Sequence, residues 1–283
     1  MAQAIKQALL SRGGRSSVLI RPEENQSIFQ LSEIQGAAQN TKSIPFSECF
    51  TIVTNSYEGR DKVTKFLQFF AKYLAWKAKK GGDALNMIRY LQISETFRDA
   101  RSVFRLSKSI FEIKRIKQIF AKTEDPFGRI VNVVSRVMYF AFWLLDNIYI
   151  LLKMTNQGED GSRQFIRSLS KRFQFIGQLL FLIYCLKTLR RTYTDESDLK
   201  VAALNKMTVK QMQDSLEQIK SLRSDYLLLF GRALSDFIIS INHNDLYHAV
   251  FGVRMNHGVE GILGMISAVL YIQSLIRKRS RSQ

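Results

Sequence analysis

The chain has 283 residues, which is enough for one large domain or two small ones. Its 42 Lys and Arg residues against 24 Asp and Glu residues give a formal charge of +18, which favours a polyanionic partner, either nucleic acid or an anionic bilayer. Its 20 phenylalanines and long apolar windows favour the bilayer, and no specific nucleic acid is expected, although a basic RNA-binding or ribosomal protein remains an alternative.

The first 45 residues are polar and mixed, and we predict that they form an extended N-terminal arm. No acidic residue precedes Glu23, whereas Lys6, Arg12, Arg15 and Arg21 are basic. Such an acid-poor start resembles a mitochondrial presequence, and a partner-bound basic arm is an equally good interpretation. Residues 46–283 contain few prolines and no period-two alternation, so they are predicted to form one all-α, membrane-associated bundle of amphipathic and hydrophobic helices.

Amphipathic helices are predicted over residues 46–121, with a break at Gly81-Gly82. Before the break, Val63, Phe66, Leu67, Phe70, Tyr73 and Leu74 share one helical face, and Lys65, Lys72 and Lys79 share the opposite face. Such a helix is suited to the boundary between acyl chains and anionic headgroups.

A second helix is predicted from about Asp83 to Ala121. Its apolar stripe includes Ile93, Phe97 and Phe104, and Arg98, Arg101, Arg105 and Lys108 run alongside it. Cations at the margin of an apolar stripe can lay their stems on hydrocarbon while their charges reach phosphate. An ordinary solvated face on a soluble bundle helix would show the same pattern.

Four apolar helical segments are predicted after this region, at 130–152, 173–189, 226–241 and 259–276. The first is long enough to cross a bilayer, but Arg136 and Asp146 interrupt it. Either these two residues face other protein within a bundle, or the helix lies flat at the interface. Within the third segment, Arg232 and Asp236 are spaced as an intrahelical ion pair. The polar stretch 192–224 is predicted to be a solvent-exposed connector with one amphipathic helix.

The last apolar segment opens with small residues at helical spacing, namely Gly258, Gly261, Gly264 and Ala268. Small residues three and four apart allow a neighbouring helix to approach backbone to backbone, as is common inside membranes. We therefore expect this face to pack against another helix, and self-association or contact with other membrane-protein subunits could use it.

Segments 59–62, 67–74, 100–108, 139–147 and 258–267 together resemble the peroxisomal biogenesis factor eleven family of membrane-elongation proteins. The first reads Gly-Arg-Asp-Lys and the last is a glycine-rich hydrophobic helix. Counting the first two segments as one region, the four regions occur in the family's order, and the resemblance covers about residues 54–275. It implies a protein that binds, elongates and helps to divide the peroxisomal membrane, in contact with anionic phospholipid.

In that family, amphipathic helices insert shallowly into one leaflet, which favours curvature. The membrane-inserting residues implied here are Phe66, Phe69, Phe70, Tyr73 and Trp76. The implied contacts with anionic lipid are Lys62, Lys65, Lys72, Arg98, Arg101, Arg105 and Lys108. The long arm departs from the family pattern, and it opens an alternative in which the same fold serves as a non-catalytic subunit of a mitochondrial inner-membrane complex.

No catalytic, cofactor-binding or metal-binding residue is predicted. His243 and His248 are five residues apart, which suits neither a helical metal pair nor a zinc finger. Cys49 and Cys185 give neither a disulfide framework nor a metal spacing. The sequence lacks nucleotide-binding fingerprints, so we predict that the protein is not an enzyme.

Overall fold

The structure is a computed structural model that describes residues 45–106, 108–120, 125–206 and 209–281. The predicted N-terminal arm lies outside these residues. The described part is all-α and contains no strand, which confirms the predicted fold class. Its helices are α1 (Phe46–Asn55), α2 (Tyr57–Lys80), α3 (Ala84–Val103), α4 (Lys108–Phe120), α5 (Pro126–Met154), α6 (Asp160–Lys206), α7 (Val209–His243), α8 (Leu246–Phe251) and α9 (His257–Arg281).

The long helices pack side by side in the order α3, α2, α9, α7, α6, α5, α4. Polar contacts between the two ends of this series close it into a ring. Arg115 of α4 donates to Glu58 of α2, and Asn147 of α5 donates to the carbonyl oxygen of Leu106, just beyond α3. The ring has an apolar cluster between α5, α6 and α7, built on Val131, Phe181, Leu182, Tyr184, Cys185 and Ala233.

The start of α2 explains part of the Gly-Arg-Asp-Lys motif. Ser56 caps the helix by accepting a hydrogen bond from the backbone N–H of Gly59 at 3.1 Å. A Cβ atom at Gly59 would lie 2.1 Å from the carbonyl oxygen of Val53 in α1. The glycine is therefore needed for the sharp turn between α1 and α2.

The small residues of α9 pack against α2 in the same chain. A Cβ atom at Gly258 would lie 2.5 Å from the Trp76 ring, and one at Gly264 would lie 2.0 Å from the Phe69 ring. Gly261 makes the corresponding approach to Tyr73, and Ala268 is fully buried. The predicted close helix contact is thus made with α2 of the same chain, and self-association through α9 stays a prediction.

The predicted helix from Asp83 to Ala121 is wrong, because the structure breaks it between α3 and α4. Phe104, Arg105 and Leu106 form a turn in which Arg105 and Leu106 donate backbone hydrogen bonds to the carbonyl oxygens three residues earlier. The Arg105 side chain also donates to the carbonyl oxygen of Arg101 at 3.2 Å. The turn directs Arg105 and Lys108 towards the interior of the ring.

The predicted connector over residues 192–224 is also wrong. Its described residues continue α6 to Lys206 and begin α7 at Val209, so they form the ends of two long helices. Arg223 of α7 pairs with Glu196 of α6 and stacks over Tyr193 at 4.1 Å. These cross-helix contacts, together with the absence of Pro and Gly, let the polar stretch stay helical.

Candidate functional site: an apolar exterior around a charged interior

Asp61 of α2 is the centre of a buried cluster of charges. Its side chain is 0% exposed, and its carboxylate lies 3.0 Å from Lys62, 3.2 Å from Arg101 and 3.1 Å from Lys108. Burial alone would raise the pKa of Asp61, but the surrounding cations outweigh it and hold the pKa well below its ordinary value. Asp61 thus stays ionised and joins α2 to the α3–α4 turn.

A second buried pair connects α2 with α7 and α9. The Lys65 ammonium donates to Asp236 at 2.5 Å and to the Ser267 hydroxyl at 2.6 Å. Burial lowers the pKa of Lys65 to about 8, although Asp236 opposes the shift. Asp236 was predicted to pair with Arg232 on its own helix. It pairs instead with Lys65, because that lysine points straight at it from across the bundle, while Arg232 stacks over the Tyr271 ring at 4.9 Å.

A third buried group lies at the other end of the α2–α9 contact. Glu260 is 2% exposed, and its carboxylate lies 2.6 Å from Lys72 and 2.8 Å from Nε2 of His243. His257 lies 3.8 Å away on the same helix. Among the described residues, no group of three or more His, Cys, Asp and Glu side chains has the arrangement of a metal site.

The structure turns six of the seven predicted headgroup cations inwards. Lys62, Lys65, Arg101 and Lys108 contact Asp61 or Asp236, Lys72 contacts Glu260, and Arg105 lies 3.6 Å from Asp146. This placement differs from the expectation that these cations face lipid, because each of them points towards a carboxylate inside the ring. Arg98 is partly exposed beside Glu95 and Asp99, so its lipid contact stays a prediction.

The predicted membrane-inserting aromatic residues do not all lie on one surface. Phe70 is 41% exposed, whereas Phe69 is 6% exposed and packs beneath Gly264 of α9. Lipid insertion of Phe69 is therefore inconsistent with this packing. Phe66 is half-buried and stacks on Phe70. Tyr73 and Trp76 are half-buried against α9, and insertion of these three, like that of Phe70, stays a prediction.

The outer surface of the ring is rich in large apolar side chains. On α2 the exposed apolar residues Val63, Leu67 and Phe70 follow helical spacing. Similar stripes occur on α5, α6 and α9, and they include Val134, Val137, Leu144, Ile148, Ile176, Leu179, Ile183, Leu186, Val259, Ile262, Ile266 and Val269. Stripes of this extent, on several neighbouring helices, mark a surface that contacts lipid or another protein.

Two described helices, α5 and α9, are long and apolar enough to cross a membrane. In a water-soluble protein such helices would form the core and be largely buried. Here only 11% of the apolar window in α5 and 28% of that in α9 is buried inside the bundle. The exposure of their apolar residues favours a lipid environment.

The distribution of apolar residues outside and ion pairs inside defines a membrane-associated helical bundle. Residues 48–276 match the family model described as peroxisomal biogenesis factor 11 (PEX11). Because the match covers most of the chain, the chain belongs to the peroxisomal biogenesis factor 11 family. No curated protein and no solved structure shows significant similarity to it.

Family membership assigns the chain to the peroxisomal membrane proteins that act in membrane elongation and division. Proteins of this family are structural biogenesis factors and are not known as enzymes. The match gives no support to the mitochondrial alternative or to an RNA-binding protein.

The sequence analysis missed the carboxylates that organise the interior. Asp61 was noticed only as part of a motif, and Asp236 was paired with the wrong residue. One signal was available, since Arg136 and Asp146 interrupt an apolar segment. They were predicted either to face other protein within a bundle or to belong to a helix that lies flat at the interface.

Proposed function

We propose that the protein shapes the peroxisomal membrane by inserting the apolar outer faces of its helices into lipid, with the buried ion pairs holding those helices together. The observation that carries this proposal is the outward stripe of α2, made of Val63, Leu67 and Phe70, beside the exposed apolar faces of α9. An amphipathic helix with such a stripe binds the region between headgroups and acyl chains.

The charged interior gives this bundle the rigidity that membrane bending needs. Asp61, Lys65 and Glu260 link α2 to α3, α4, α7 and α9, so α2 cannot rotate without breaking buried ion pairs. A wedge that is fixed to neighbouring helices displaces lipid in one leaflet, whereas a freely rotating helix would adapt to the existing surface. We infer that curvature depends both on the stripe and on its attachment.

The headgroup contacts in this proposal come from cations that remain at the surface. Lys77, Lys79 and Lys80 are exposed in the last turn of α2, directly after the apolar stripe. Arg98 on α3 is the predicted lipid contact that is still accessible. Each cation near an anionic surface contributes about 1 kcal/mol to binding.

Vesicle binding and tubulation by the full chain test the proposal. The double variant Leu67→Glu, Phe70→Glu places two carboxylates on the outward stripe and lowers the net charge by two. The matched control Arg60→Gln, Arg89→Gln lowers the net charge equally at exposed polar positions that are neither in the apolar stripe nor among the proposed headgroup contacts.

Loss of the two apolar side chains removes about 1.5–3 kcal/mol each, so we expect at least a tenfold fall in binding to anionic vesicles. The control should keep tubulation and show only a modest loss of binding. Equal behaviour of the two variants would contradict insertion of the α2 stripe and would leave charge as the sole determinant.

A further inference from the structure

The ring of helices surrounds a partly open cavity of about 1800 Å³ whose walls carry a large excess of positive charge. Sixteen Lys and Arg side chains line it, against eight Asp and Glu side chains. Ligand sites in proteins commonly measure about 300–1,000 Å³, so this cavity can hold a molecule much larger than a single ion. Its composition favours an anion.

The positive charge is not balanced by the buried ion pairs described above. Asp61 alone has three cations within 3.2 Å, so this cluster keeps a positive excess. Arg232 has no carboxylate within ion-pair distance among the described residues, and its contact is the face of the Tyr271 ring. Cations removed from water without a counter-ion are costly, and a bound anion would offset that cost.

Unpartnered polar groups also face the cavity. The Ser240 hydroxyl and the Gln178 side-chain oxygen are buried and have no hydrogen-bond partner in the described part of the chain, although both residues line the cavity. Arg232, Asp236 and Ser240 recur every four residues, so they share one face of α7. This face combines a guanidinium with a free hydroxyl donor, which are groups that bind phosphate oxygens.

The electrostatic environment of Lys108, on the cavity wall, is strongly positive. Burial, together with the nearby Lys62, lowers the pKa of Lys108 to about 7, although Asp61 opposes the shift. An additional negative charge in the cavity would restore the ammonium form of this side chain.

We propose that this cavity binds a phosphate-bearing polyanion, with Arg232 and Ser240 on α7 as contacts and the cations around Asp61 as the opposite wall. The phosphate belongs either to the headgroup of an acidic lipid or to a soluble phosphate compound. This site is separate from the outward stripe of α2, so it goes beyond the membrane-shaping role and does not depend on it.

The cavity holds its own fluorescent reporter. Arg105 lies 5.6 Å and Lys108 lies 5.1 Å from the ring centre of Trp143, which lines the cavity. The chain has two tryptophans, so Trp76→Phe leaves Trp143 as the single indole. Ligand binding should change the emission of Trp143 in the full chain held in a neutral detergent.

The titrants are sodium tripolyphosphate, dioctanoyl phosphatidic acid and, as a zwitterionic comparison, dioctanoyl phosphatidylcholine. We expect saturable binding of tripolyphosphate, phosphatidic acid or both, with one site per chain, and no saturable response to phosphatidylcholine. Binding of phosphatidic acid alone identifies a lipid headgroup as the ligand, and binding of tripolyphosphate alone identifies a soluble phosphate compound.

Substitutions then locate the site. Arg232→Gln should weaken binding at least tenfold, whereas Arg60→Gln, which removes an exposed guanidinium outside the cavity, should leave it unchanged. Ser240→Ala should weaken binding severalfold, and it serves as the second variant should Arg232→Gln fail to fold. The proposal would be overturned if neither tripolyphosphate nor phosphatidic acid bound saturably. It would also be overturned if Arg60→Gln weakened binding as much as the cavity variants do.

Discussion

Replacing Asp61 by Asn tests whether the buried ion pairs hold the bundle together. The substitution keeps the shape of the side chain and removes its charge, which leaves Lys62, Arg101 and Lys108 without their shared counter-ion. Removing one partner of a buried ion pair costs about 3–5 kcal/mol. Because three cations lose their partner together, we expect a loss of free energy of unfolding in the upper part of that range.

Unfolding is measured by adding sodium dodecyl sulfate to the full chain in a neutral detergent, with Trp143 fluorescence as the signal. The matched control is Asp99→Asn, because Asp99 also belongs to an ion pair, with Lys153 at 2.9 Å, but its side chain is 52% exposed. Exposed pairs contribute about 0–1 kcal/mol. A difference below about 1 kcal/mol between the two variants would refute a stabilising role for the Asp61 cluster.

Two further predictions concern the α2–α9 contact and the buried lysines. Gly264→Ala should destabilise the chain by about 1–3 kcal/mol, because its Cβ atom would overlap the Phe69 ring, whereas Gly161→Ala in the open part of α6 should be neutral or stabilising in the same unfolding assay. The folded pKa of Lys108 is about 7 against an ordinary value of 10.5, so above pH 7 the folded state has released a proton that the unfolded state keeps. The free energy of unfolding should therefore rise by about 2 kcal/mol between pH 7 and pH 9 from this group, and the rise should be smaller in Lys108→Met; an equal rise in both chains would contradict this assignment.

The helical periodicity of the sequence was enough to predict an all-α chain and the location of its apolar segments. It could not predict which face of each helix points inwards. Lys65 and Asp236 are 171 residues apart, and neither position alone distinguishes a headgroup contact from a buried ion pair. In a water-soluble protein the apolar face would point inwards, whereas in lipid it points outwards, so the pattern along one helix is the same in both cases.

The glycine-rich start of α9 illustrates a related limit. The sequence predicted a close helix contact there, but it gave no means of choosing between a second chain and a helix of the same chain. The structure places Phe69, Tyr73 and Trp76 of α2 on this face. The same contact explains why Phe69 is buried although its neighbour Phe70 is exposed, since a helix that packs on one side divides adjacent residues between two environments.

The central claim is that the apolar exterior of the bundle lies in lipid, and spin labelling tests it most directly. A nitroxide is attached to a cysteine at position 70 or, for comparison, at position 79 on the opposite face of α2, in a chain whose Cys49 and Cys185 are replaced by alanine. In bilayers, the label at position 70 should collide more often with oxygen, which dissolves in lipid, than with a water-soluble nickel complex, and the label at position 79 should show the opposite ratio. Higher nickel accessibility at position 70 than at position 79 would contradict the claim, because it would place the outward stripe of α2 in water.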